Sequence, residues 1–157
     1  MGDLTDVFSP GDGRVEVITL VVREVEFCVD IKAVREIRGW TPATPVPHAP
    51  PYVKGVINLR GAVMPVLDLA ARLDLGVTEP TSRHVIVVAQ CGDQLAGLLV
   101  DSVQETFFVS AAQLQAPPAV CGRDGEAIID AILPMDGRMI SRLVVERLVP
   151  QGQPLAA

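Results

Sequence analysis

The chain has 157 residues, a formal net charge of −6, and a composition that is 49% hydrophobic but only 4% aromatic. That length holds one domain or two very small lobes with an independent core, and the hydrophobic share excludes a disordered chain. The acidic balance argues against a nucleic-acid binder, which would show a basic face.

With few aromatics, the core falls to Val, Leu, Ile and Ala, and abundant valine favours strands. Residues 1–13 read as a mobile arm ended by the turn-forming P-G-D-G of Pro10 to Gly13. The arm has acids where a signal peptide needs a basic start, and Asp6 occupies the Ser/Thr position of a myristoylation motif. No apolar run approaches the roughly 18 residues of a spanning helix. These features describe a soluble, cytoplasmic protein.

Val15 to Val22 reads as a strand, Arg23-Glu24 as a turn, and Val25 to Val29 as a second strand. Asp30 is placed to cap a short helix, with Ile31, Val34 and Ile37 on one face at three-residue spacing. Core packing is the plain reading of that face. Thr41 to Pro51 contains prolines at 42, 45, 47, 50 and 51, a density that forbids helix and favours extended backbone. It reads as a stiff crossover within one compact unit.

The stretch Gly55 to Leu69 organises the chain. Its apolar runs, Val56 to Leu59 and Ala62 to Leu67, are separated only by Arg60-Gly61, which fits a tight hairpin with glycine free to take positive φ. Pro65 suits a strand edge, and Asp68 is placed to cap one helical turn through Arg72. Arg60, at the tip, is displayed. Spacing leaves two roles open for it: a fork of donors for a partner's carboxylate or carbonyl, or an internal ion pair with Glu36 or Asp68.

Gly76 to Ser82 reads as a loop, followed by strands His84 to Gln90, Gln94 to Val100 and Val103 to Val109. Ser110 starts one helical turn with Gln113 at the capping-box position, and Pro117-Pro118 ends it. Cys121 to Glu126 is a polar loop. The last hairpin, Ala127 to Leu133 and Met139 to Val145, turns at Asp136-Gly137. Glu146 to Val149 is a final turn and residues 150–157 a tail. About ten short strands with no βαβ rhythm mean small antiparallel barrels or a sandwich. The paired hairpins suggest a duplication, with no visible sequence repeat.

Catalytic arrangements are not found: no G-x-S-x-G elbow, P-loop or H-E-x-x-H occurs, and His48 and His84 fall in a proline loop and at a strand start. The three cysteines, Cys28, Cys91 and Cys121, are widely spaced with no C-x-x-C pair, so free thiols in a reducing compartment are expected and a zinc site is not. A thiol hydrolase using Cys28 or Cys91 is the competing class. A nucleophile must be reachable, and both thiols are expected to be buried.

The series P-Y-V-K-G-V-I-N-L-R-G (Pro51 to Gly61) is followed by V-M-P-V-L-D-L. With V-D-I-K-A-V-R-E-I-R-G-W (Val29 to Trp40) and A-G-L-L-V-D-S-V (Ala96 to Val103), it resembles the CheW-like family of bacterial chemotaxis coupling proteins. The resemblance covers roughly Arg14 to Val149. It implies a mainly β fold of two five-stranded SH3-like barrels around a shared apolar core, lobes near 14–80 and 82–149, and no enzymatic activity or cofactor. It further implies an adapter joining the cytoplasmic tips of chemoreceptors to the regulatory domain of the histidine kinase CheA at membrane receptor arrays. An adapter of a chemotaxis-like pathway with another output is the alternative. By residue matching, Val34, Glu36 and Arg60 would face the receptor, with Ile31 and Ile37 lining that region. Gly55, Asn58 and Gly61 would hold the central hairpin turn and its approach to the other barrel. The chain departs from the family pattern at Ser141, Arg142 and Val144, on the strand where a kinase contact is implied.

Overall fold

The computed structural model describes residues 14–117 and 128–149. The expected arm, tail and Cys121 to Glu126 loop, and the state of Cys121, lie outside the described residues.

Strands β1 (Arg14–Val22) and β2 (Val25–Asp30) form the first hairpin, with Arg23 and Glu24 both at positive φ in its two-residue turn. Asp30 does act as a cap, its carboxylate accepting from the Lys32 amide at 2.9 Å, but only the 3-10 turn Ile31–Ala33 is helical. The expected helical face of Ile31, Val34 and Ile37 does not form. Val34 opens β3 (Val34–Gly39), whose exposure alternates residue by residue, so Ile37 lies out where Glu36 and Arg38 are half-buried. Pairing of these residues with a neighbouring strand outweighs a three-residue spacing that helix and bulged strand share.

The proline-rich stretch leads to β4 (Val53–Leu59) and β5 (Ala62–Asp68), and then to a single helical turn α1 (Leu69–Arg72). Next come β6 (Val85–Cys91), β7 (Gln94–Val100) and β8 (Ser102–Ser110). After a 3-10 turn at Ala111–Gln113 the described chain resumes with β9 (Ile129–Met135), β10 (Arg138–Leu143) and a 3-10 turn at Val145–Arg147. Gln113 accepts from the Ser110 amide at 2.8 Å, as its capping position requires.

Two five-stranded sheets result, in the orders β8-β1-β2-β10-β9 and β3-β6-β7-β5-β4. Each closes on itself. In the second, Trp40 donates to the His84 carbonyl, and Thr44 exchanges backbone hydrogen bonds with Val56 at 2.9 and 2.8 Å. In the first, Gln115 exchanges them with Ile132. The proline-rich stretch is therefore the staple that joins the two edges of one barrel.

Sheet membership does not follow the halves of the chain. The first barrel takes β1 and β2 together with β8, β9 and β10, while the second takes β3 to β7. A boundary near residue 81 separates neither, because the parallel pairings β2–β10 and β5–β7 join segments far apart in sequence. Pro65 also needs a correction. Its strand has neighbours on both sides, but the β7 pairing covers only Val66, Leu67 and Asp68, so the proline sits where the missing N–H faces no partner strand.

The two barrels repeat each other. Val22↔Val25 answers to Cys91↔Gln94, Leu20↔Val103 to Ala89↔Val34, and Cys28↔Arg142 to Gly97↔Val66. The bulge at the head of β3, V-R-E-I from Val34, corresponds to V-Q-E-T from Val103 in β8. Each barrel has its own interior: Ile57, Met64, Val66, Ile86 and Leu99 fill the second, and Val17, Cys28, Leu133 and Ile140 the first. The largest apolar cluster lies between them, with Leu20, Phe27, Leu67, Leu69, Val87, Leu98 and Leu148 drawn from both.

Candidate functional site: the hairpin end of the second barrel

The β4–β5 hairpin turns through Arg60 and Gly61, at φ 51° and 91°, which gives the twist that joins two strands by two residues. The Asn58 side chain accepts from the Gly61 amide at 2.9 Å and fixes the turn from below. Gly61 and Asn58 are thus bonded across the turn. Gly55 stands apart from it. It lies in β4 at φ 147°, where a Cβ would stand 2.3 Å from the Thr44 carbonyl oxygen, so its close approach is to the proline-rich staple of its own barrel.

Arg60 is 71% exposed and ion-paired to Glu36 of β3, one of the two internal partners that spacing allowed. The other, Asp68, is buried at the far end of β5, accepting from the amide and hydroxyl of Thr78, each at 2.7 Å. Asp68 stands at the N-cap of α1 but makes no side-chain cap bond, its oxygens being committed to Thr78. The loop from Gly76 is pinned there, and Lys54 adds a 2.6 Å bond to the Thr78 carbonyl.

Because Glu36 is hydrogen-bonded to Arg60, and lies near Arg38, its carboxyl is held below the usual range. Arg38 reaches its other oxygen at 3.6 Å. The pair leaves most of the Arg60 fork open to solvent. Exposed apolar residues occur on the same two elements: Ile37 of β3 and Val63, two residues past the turn, are 45% and 61% exposed. Of the residues matched to the receptor-facing region, Glu36 and Arg60 are therefore brought together, while Ile37 is exposed on the opposite face of β3. Val34 is half-buried against the shared core, and Ile31 is half-buried on the preceding turn.

Two features were not anticipated from the sequence. The first barrel carries the counterpart of the Arg60–Glu36 pair: Arg138, just after the Asp136-Gly137 turn, bonds Glu105 at 3.2 Å and Glu26 at 3.4 Å, beside Met139 at 65% exposure. Its signal was the V-R-E/V-Q-E correspondence, which is too short to notice without the pairing register. A polar cleft of about 490 Å³ also opens between the barrels, lined by Lys32, Arg35 and Gln90 on one side and Asp130, Arg142 and Glu146 on the other. Arg142 forks onto Asp130 at 2.8 and 2.9 Å, which is how the departure from an apolar strand pattern is accommodated. Ser141 pairs in parallel with Phe27.

Cys28 and Cys91 have no exposure, and burial pushes both thiols up to about 12. His84 contacts Asp101 at 3.3 Å through Nε2, and its Nδ1 accepts the Thr81 amide at 3.0 Å and lies 3.2 Å from the Thr81 hydroxyl. No cluster of metal-ligating side chains forms among the described residues, and no described helix is long and apolar enough to cross a membrane.

An interaction module of two SH3-like barrels is the class that this fold and this hairpin end define. The model of the CheW-like domain matches residues 16–153, and the chain belongs to that family. The Chemotaxis protein CheW of Rhizobium meliloti (strain 1021) is 48% identical over 146 residues, spanning 93% of this chain and 94% of the relative. The Probable chemotaxis protein CheW of Rhizobium etli is 46% identical over 151 residues, spanning 96% and 97%. The crystal structure of scaffolding protein TtCheW from Thermoanaerobacter tengcongensis superposes with a TM-score of 0.79 at 28% identity, covering 88% of this chain and 95% of that one.

Proposed function

We propose that this chain is a non-catalytic adapter that couples the cytoplasmic tips of chemoreceptors to the regulatory domain of the histidine kinase CheA. It would act in the cytoplasm and be recruited to membrane receptor arrays. Family membership supports the chemotaxis scaffold role. The observation that carries the receptor contact is Arg60: a guanidinium 71% exposed, aimed by a rigid two-residue turn and oriented by Glu36. A planar fork held this way offers donors to a carboxylate or a helix-end carbonyl without first paying to order a long side chain. In this reading the exposed Ile37 and Val63 would add apolar contact to the receptor, with the half-buried Val34 and Ile31 lining the region.

Calorimetric titration of a receptor cytoplasmic hairpin, and separately of a CheA regulatory domain, tests this. Wild type binds both, and Arg60→Ala loses the receptor while keeping the kinase domain. Binding of neither partner by wild type would leave the fold and remove the function. Loss of both by the variant would make Arg60 a fold contact only.

A further inference from the structure

We infer that Arg72 is a latch that fixes the angle between the two barrels and holds one wall of the cleft between them. Arg72 ends α1 of the second barrel, yet its guanidinium reaches the first. Nε donates to the Leu148 carbonyl at 2.8 Å and Nη2 to the Arg147 carbonyl at 3.0 Å. The Tyr52 ring lies behind it, its centroid 4.9 Å away, so the fork is backed by a π face and aimed at the two oxygens. Those oxygens stand at the end of the 3-10 turn Val145–Arg147, where a cation is a natural cap.

The geometry does more than cement the fold. The shared core that joins the barrels is apolar. A forked hydrogen bond adds a directional constraint to that packing. The gripped turn is also a cleft wall, since Val144, Val145 and Glu146 line the space opposite Lys32, Ala33 and Arg35. A second arginine reaches back the other way: Arg23, in the β1–β2 turn of the first barrel, donates to the Val77 carbonyl at 2.9 Å in the segment after α1. The segment from Arg72 to Val77 is thus tied to the first barrel at both ends, and release of Arg72 frees the turn that walls the cleft.

Spin labels at Val63→Cys and Met139→Cys, one exposed hairpin tip per barrel, read the angle as a pulsed electron-resonance distance distribution. Cys28 and Cys91 stay in place, being buried and poorly ionised, and Cys121→Ser removes the remaining thiol. The latched protein gives one narrow distribution. Arg72→Ala and Arg72→Lys both shift and broaden it; the lysine keeps the charge but cannot span two carbonyls. Leu133→Ala, a truncation inside the first barrel, lowers the melting temperature and leaves the distribution narrow. A wild-type distribution in a folded Arg72 variant overturns the latch, as does equal broadening in Leu133→Ala. If the alanine variant does not fold, the lysine variant decides.

Discussion

Replacing Gly55 by alanine is the sharpest test of how the second barrel closes. Gly55 has φ 147°, and its missing Cβ leaves room for the Thr44 backbone, whose carbonyl oxygen and carbon would lie 2.3 and 2.6 Å from the added atom. Neither contact is with a flexible side chain. The Thr44 oxygen accepts the Val56 amide at 2.8 Å, so moving it away breaks the bridge that staples the barrel shut. Forcing an L side chain into that backbone region costs about 1–3 kcal/mol, and overpacking a close contact about 1–3 more, for a total of roughly 2–6 kcal/mol. In a domain of this size each kcal/mol moves Tm by about 2–4 °C, so the variant should melt roughly 5–20 °C below wild type. Thermal unfolding followed by circular dichroism measures this, with Gly61→Ala as a comparison, because a Cβ there meets nothing within 4 Å. A Gly55→Ala melting temperature within about 2 °C of wild type would refute the reasoning, since it implies less than about 1 kcal/mol.

Asp68→Asn should cost about 1–3 kcal/mol, because it replaces the buried carboxylate that accepts from the Thr78 amide and hydroxyl and faces Lys54 at 3.8 Å; denaturant titration reads the loss. Carboxyl carbon NMR of Glu36 should show a titration midpoint below the usual range in wild type and one returned toward it in Arg60→Ala. Because the folded value is the lower one, whatever stability this pair adds is present above the unfolded carboxyl pKa and lost as pH falls through the folded value. Cys28 and Cys91 should resist a thiol reagent in the native protein at pH 8 and both react in denaturant. Their folded values are raised from 9.0 to about 12, so their burial stabilises fully below pH 9 and less as pH climbs toward 12, and an alkaline melting series should show that decline.

Turn chemistry made the two tip hairpins legible in the sequence. Arg60-Gly61 and Asp136-Gly137 each sit between apolar runs, and Asn58 supplies a local acceptor, all within a few residues. Fold class followed from the strand count. β3 was not legible as a strand, because Ile31, Val34 and Ile37 keep a helix-like spacing across a cap, a 3-10 turn and a bulge. The lobe boundary was hidden for another reason: β2–β10 and β5–β7 are parallel pairings between distant segments, and no local pattern encodes them. Of the site, Arg60 and Glu36 were within reach of sequence reasoning, although their pairing was one of two options. Arg72 was read only as the end of a helical turn. Its carbonyl partners at 147 and 148 lie on the other barrel, which only the folded chain brings near.

Reconstitution tests the adapter role most directly. Receptor in nanodiscs, CheA and ATP are combined with and without this protein, and phosphorylated kinase is followed over time. For an adapter, receptor control of the kinase appears only when wild-type protein is added, and Arg60→Ala fails to restore it. Equal receptor control with and without the protein would contradict that role.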